Sequence, residues 1–114
     1  NVPVVGFTGD GGFQYCMAEL ATAVQYDLNA VVVMFNDDAW GVLKAYQANE
    51  FDNRYMGTDL VNPNFVKLVE SYGLNAVRAD TVSELIRAIE AGTSSPSLTF
   101  IEVPIPGGLA SLKK

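Results

Sequence analysis

Four short apolar runs, at residues 2–8, 30–35, 74–79 and 98–103, alternate with stretches in which apolar residues recur every three or four positions. Runs apolar at consecutive positions suit strands of a parallel sheet covered on both faces. The periodic stretches suit helices that lay one side on that sheet. The first helix is predicted over 13–26, with Phe13, Met17, Leu20, Ala21 and Val24 inward, and Asp27-Leu28-Asn29 breaks it. A weaker helical pattern covers 41–51. Residues 50–60 mix charge, Gly57 and aromatics without a period and read as a long surface loop, of a length often tied to function. Asn62-Pro63 reads as a helix start, with Asn62 as N-cap and Pro63 at the first helical position. Phe65, Val66, Leu68, Val69 and Tyr72 form that helix's apolar side, and Gly73 ends it. Thr81 and Glu84 have the spacing of a capping box and open a last helix to about residue 91, with Val82, Leu85, Ile86 and Ile89 inward. Strands alternating with helices predict an α/β fold, a mainly parallel sheet with helices on both faces. A single domain over 1–106 is expected, followed by a tail at 107–114.

Composition narrows the function classes. Hydrophobic residues at 49% and charged residues at 18% fit a folded α/β domain and not a disordered chain. The formal net charge of −6, with no basic run apart from Lys113-Lys114, argues against a nucleic-acid surface. No apolar stretch is long enough to span a bilayer. No basic segment leading to a cleavage site opens the chain. Cys16 is the one cysteine, so no intrachain disulfide can form, which fits a cytoplasmic protein; it is expected to be a buried small hydrophobe. The chain has no histidine, which removes Ser-His-Asp and Cys-His triads and histidine-ligated zinc. Because a strand begins almost at once, the chain is expected to be a fragment of, or a small subunit within, a larger enzyme.

The candidate chemistry sits at two strand ends. The first run leads into Gly9-Asp10-Gly11-Gly12, where glycines can take positive φ and let the backbone approach a ligand closely. Backbone N–H groups there attract phosphate oxygens. A carboxylate at that place repels phosphate unless a divalent cation lies between them, Asp10 binding the metal and the metal binding the phosphates. The second run ends in Asn36-Asp37-Asp38-Ala39-Trp40-Gly41-Val42. The C-terminal ends of parallel strands share one edge, so Asp10 and Asn36-Asp37 are expected to converge.

Gly9-Asp10-Gly11, a gap of about two dozen residues and then Asn36-Asp37 resembles the motif of the thiamine-diphosphate-dependent family that includes acetolactate synthase, benzoylformate decarboxylase and pyruvate decarboxylase. Ala18-Glu19-Leu20-Ala21-Thr22, Trp40-Gly41-Val42, Asn64-Phe65-Val66-Lys67-Leu68 with Tyr72-Gly73, and Phe100-Ile101-Glu102-Val103 add to the likeness, which runs to about Pro106. The resemblance implies a thiamine-diphosphate-binding fold, here partial, with thiamine diphosphate and Mg²⁺ as cofactors. It implies Asp10, Asp37 and the Ala39 carbonyl as metal ligands. Gly9, Gly11 and Gly12 would face the diphosphate. The family usually has a second asparagine where Asp37 stands, which makes this site one charge more negative. Asn36 is either a direct ligand or a hydrogen-bond partner, against a plain Asx turn closing the strand. Trp40, Gly41 and Val42 follow as cofactor-side positions; Trp40 and Val42 could equally pack in the core or at a subunit contact. Asp38 is expected to be solvated, and Glu19 to serve structure or an interface.

The same resemblance implies a 2-oxo acid substrate, decarboxylated or joined to a second carbonyl compound, and a homodimer or tetramer with the active site between subunits. The glutamate that activates the cofactor belongs to another domain, usually of a partner subunit, and has no candidate here. No catalytic residue is therefore assigned, and the chain alone should not turn over pyruvate. Two other classes fit more loosely. A Mg²⁺-dependent phosphoacceptor domain of flavodoxin-like fold would want a lysine at the end of a late strand, where this chain has Glu102 and Pro104. A scaffold that keeps the fold but binds nothing is the other.

Overall fold

The computed structural model describes residues 2–108. Four parallel strands, β1 (Val5–Gly9), β2 (Val31–Asn36), β3 (Asn75–Arg78) and β4 (Thr99–Pro104), form one sheet in the order β1-β2-β4-β3. The helices are α1 (Asp10–Cys16), α2 (Leu20–Gln25), α3 (Gly41–Glu50), α4 (Phe65–Glu70) and α5 (Val82–Thr93). Right-handed crossovers decide which face each helix covers. The chain moves one way across the sheet from β1 to β2 to β3, and α1, α2 and α4 share a face, where Phe13, Leu20, Ala23, Phe65 and Val69 pack with Met34 and Phe100. It steps back from β3 to β4, and α5 lies on the other face, where Leu85, Ala88 and Ile89 pack on Val31, Val33 and Ile101. The reversal of direction is thus why both faces are covered.

Several expectations need correcting. β1 is an edge strand and not a doubly covered one: Phe7 is 66% exposed and stacks on Phe35. The predicted first helix starts earlier, at Asp10, and is interrupted by a 3-10 turn at Met17–Glu19. Three residues at 3.0 per turn rotate the following helix by roughly 60° relative to an unbroken α-helix. Ala23 therefore faces the core, while Ala21 and Val24 are exposed. Cys16 is exposed. The N-cap of α4 is Asn64, whose side chain accepts from the Lys67 amide at 2.9 Å, and not Asn62. The capping box of Thr81 and Glu84 is present, but Val82 and Ile86 point to solvent. Gly92 lies inside α5 and not in the turn after it; a Cβ there would sit 2.7 Å from Cγ2 of Val31, so glycine lets α5 lie close on the sheet. Beyond β4, Gly107 and Gly108 turn with positive φ, and residues 109–114 of the expected tail lie outside the described residues.

Candidate functional site

The strand ends β1 and β2 are neighbours, Gly9 opposite Phe35, so the segments that follow them meet on the sheet's C-terminal edge. A cavity of about 270 Å³ opens there. Gly9, Asp10, Gly11 and Gly12 line one side; Asp37, Ala39, Trp40, Gly41 and Val42 line the other. Asn36 is not among its walls; it lines an adjoining cavity of about 570 Å³ together with Asp37, Asp38, Lys44 and Arg78.

Positive φ is not what the glycines of the first turn supply. Gly9 has φ −94°, and neither Gly11 nor Gly12 is among the positive-φ glycines. They supply missing side chains. A Cβ on Gly11 would lie 2.8 Å from the Trp40 ring, and one on Gly12 would lie 3.1 Å from the Thr8 hydroxyl. Trp40, half-buried, therefore covers Gly11 and meets Tyr15 with ring centroids 5.7 Å apart; it belongs to the cavity wall and not to the core. Gly11→Ala is expected to push this ring aside at a cost of roughly 1–2 kcal/mol of stability. Trp40 is the only tryptophan, so a red-shifted emission spectrum reads the displacement directly.

Asp10 is 1% exposed, and its carboxylate has one hydrogen-bond donor among the described residues, the neutral Asn62 amide at 2.6 Å. Among the described residues no ammonium or guanidinium pairs with it. A buried carboxylate in such a setting calls for a cation. The donors at hand are all hard oxygens: Asp10, Asp37 and the Ala39 carbonyl on one cavity. Among the described residues no three His, Cys, Asp or Glu side chains form a metal-holding group by themselves. A cation here would complete its shell from phosphate and water, as Mg²⁺ ordinarily does. The residues fit a bound Mg²⁺–diphosphate.

Asn36 is engaged at both ends of its amide. Its Nδ2 donates to Glu102 Oε1 at 2.7 Å, and its Oδ1 accepts from the Asp38 amide at 3.1 Å and from Asn62 Nδ2 at 3.0 Å. The Asx turn and the hydrogen-bonding role therefore coexist. Asp38 is exposed, with φ 53°, and its carboxylate also accepts from Asn62 at 3.0 Å. Glu19 accepts from the Thr22 hydroxyl at 2.7 Å on the surface.

Sequence reasoning missed Asn62, Gln14 and Glu102. Asn62 stands at the middle of this network, and Gln14 Nε2 donates to its Oδ1 at 2.7 Å. The long loop that carries Asn62 is tied along the site. Trp40 donates its amide to the Thr58 carbonyl at 2.8 Å, and Leu60 donates to the Asp38 carbonyl at 2.9 Å, with Ala39 bridged to Asp59. From α3, Gln47 clamps the Met56 backbone with both ends of its amide, at 2.9 and 3.0 Å. Lys44 pairs with Asp59, and that hydrogen bond holds the ammonium above its usual pKa. The Arg78 guanidinium is raised likewise by its hydrogen bond to Asp80, with Glu102 adding to it.

The edge of a doubly wound parallel sheet, with a glycine turn and oxygen ligands meeting over a small cavity, defines a nucleotide- or diphosphate-type cofactor domain. The comparisons narrow it. The family described as thiamine pyrophosphate enzyme, C-terminal TPP binding domain, matches residues 1–103, and the chain belongs to that family. It is 32% identical over 104 residues to the acetolactate synthase large subunit of Cyanidium caldarium, covering 90% of this chain and 18% of that one. It is 35% identical over 109 residues to a probable sulfoacetaldehyde acetyltransferase of Rhizobium meliloti, again 90% and 18%. The crystal structure of benzoylformate decarboxylase from Polynucleobacter necessarius superposes with a TM-score of 0.85 at 32% identity, covering 92% of this chain and 20% of that one. The chain thus spans about a fifth of the length of these relatives. The phosphoacceptor alternative is not supported, since β4 delivers Glu102 to this edge and the family match is to a cofactor-binding domain. Among the described residues no helix is long and apolar enough to cross a membrane.

Proposed function

We propose that this chain is the Mg²⁺- and diphosphate-anchoring domain, over residues 1–106 with a tail at 107–114, of a thiamine-diphosphate-dependent enzyme acting on 2-oxo acids. The enzyme would be of acetolactate synthase or 2-oxo acid decarboxylase type. The observation that carries this is Asp10, buried with a neutral amide as its partner among the described residues, on the same small cavity as Asp37 and Ala39. Asp10, Asp37 and the Ala39 carbonyl hold the cation, and the backbone of Gly9, Gly11 and Gly12 faces the diphosphate. Trp40, Gly41 and Val42 wall the cavity, and Asn36 acts behind it as a hydrogen-bond partner. When bound, thiamine diphosphate supplies the carbon nucleophile and electron sink that the bond cleavage needs. This chain's own residues orient it; none moves a proton for it. The activating glutamate comes from another domain or a second subunit, and the active site lies between subunits, so the working unit is at least a dimer. The lone thiol of Cys16 suits a cytosolic enzyme.

Calorimetric titration of thiamine diphosphate into the full-length protein, with Mg²⁺ and with a chelator, tests the reading. Binding is expected only with the metal. Equal affinity in chelator, or none in either condition, would rule the reading out. The chain by itself is expected to show no pyruvate turnover.

A further inference from the structure

Asn62 joins three separate segments through one amide. Its Nδ2 lies 2.6 Å from Asp10 Oδ2, 3.0 Å from Asn36 Oδ1 and 3.0 Å from Asp38 Oδ1. Its Oδ1 is held from α1 by Gln14 Nε2 at 2.7 Å. The orientation of the amide follows from chemistry, since the two carboxylates can only accept and the Gln14 nitrogen can only donate. An NH₂ group has two protons for three oxygens, and the shortest contact is the one to Asp10. The carboxylate of Asp10 thus has Oδ2 taken by a donor that is itself anchored at its far end.

We propose that Asn62 is a positioning residue that presents a single oxygen of Asp10 to the bound cation and so favours a small octahedral ion over a larger one. The proposal rests on the functional reading above. Mg²⁺ takes one oxygen per carboxylate at about 2.0–2.1 Å in near-ideal octahedral geometry, whereas Ca²⁺ at about 2.3–2.6 Å accepts both oxygens of one carboxylate and a looser shell. Holding Oδ2 on Asn62 occupies one of its lone pairs and disfavours the two-oxygen mode. Freeing it lets the carboxylate rotate and chelate, which costs the smaller ion more than the larger.

The experiment measures dissociation constants for thiamine diphosphate in excess Mg²⁺ and in excess Ca²⁺, in the full-length protein, for the unaltered chain, Asn62→Ala and Gln14→Leu. Removing a hydrogen-bond partner from a metal ligand ordinarily weakens metal affinity by about 10- to 100-fold. Asn62→Ala is expected to lose that much with Mg²⁺ and at least tenfold less with Ca²⁺, so the affinity ratio changes. Gln14→Leu, which leaves the acidic groups untouched, is expected to move the ratio the same way by roughly threefold, and it stands as the test if Asn62→Ala does not fold. Equal losses with both ions mean that Asn62 serves structure only and overturn the proposal. So does unchanged affinity in either variant while the unaltered protein binds. Absence of binding by the unaltered protein overturns the functional reading and this proposal together.

Discussion

Asp10→Asn is expected to pull apart two properties that usually fall together. Thiamine diphosphate affinity in Mg²⁺ should drop on the order of 100-fold or more, because removing one partner of a buried charge pair costs roughly 3–5 kcal/mol and each 1.4 kcal/mol is about tenfold. The metal-free protein should at the same time gain about 1–2 kcal/mol of stability, the scale of other single changes that relieve a functional residue's cost. Asp10 is buried, has no cationic partner among the described residues and accepts from the neutral Asn62 amide. Asparagine has the same shape, keeps an oxygen for Asn62 and carries no charge to desolvate. Calorimetry in Mg²⁺ and a thermal melt in chelator read the two effects. A variant that binds normally, or that melts earlier without metal, would take Asp10 out of the metal site.

At Asp37 the sign depends on what replaces it. Asp37→Ala removes an oxygen ligand from the cavity and is expected to weaken Mg²⁺-dependent binding by at least the roughly 10- to 100-fold that losing a group orienting a ligand costs. Asp37→Asn keeps the oxygen and removes a charge beside a polyanion. At an effective dielectric of about 20, a unit charge about 5 Å away is worth up to roughly 3 kcal/mol. Asp37 is only partly buried, so solvent and salt reduce this to about 1 kcal/mol, a fivefold tightening. The gain should shrink further as salt rises. Titrations at two ionic strengths settle it: weaker binding by Asp37→Asn would mean that the carboxylate's charge is needed for the metal more than it hinders the diphosphate.

Much of the architecture was legible because it depends on local pattern. The four apolar runs became the four strands, and Thr81 with Glu84 became a capping box, since both signals act over a few residues. The meeting of Asp10 with Asp37 followed from a rule about parallel sheets, and the cavity does bring them together. What was hidden depends on distant partners. An apolar run says nothing of whether its strand lies at a sheet's edge, so the exposure of Phe7 was invisible. The rotation that exposes Val24 comes from a three-residue 3-10 turn with no sequence mark of its own. Asn62 looked like a helix cap because Asn-Pro is a common one. Its real partners are 26 and 52 residues away. One signal was available: Asn62 and Asn64 offered two caps for one helix, and the spare one was left for other work.

The tie between residues 38–40 and 58–60 has an energetic consequence. Two backbone hydrogen bonds, the Gln47 clamp, the Lys44–Asp59 pair and the Asn62 amide hold the loop, and none of them belongs to the sheet ladder. A partial opening in which this loop comes away while the sheet stays intact is expected to cost less than global unfolding. Every such opening removes Asn62 from Asp10 and loosens the backbone around Ala39, so the molecule loses its binding surface while its strands stay paired. Apparent affinity is then the intrinsic affinity scaled by the fraction of time the loop is down. A substitution at Gln47, which touches no ligand-facing group, would weaken binding by changing that fraction alone.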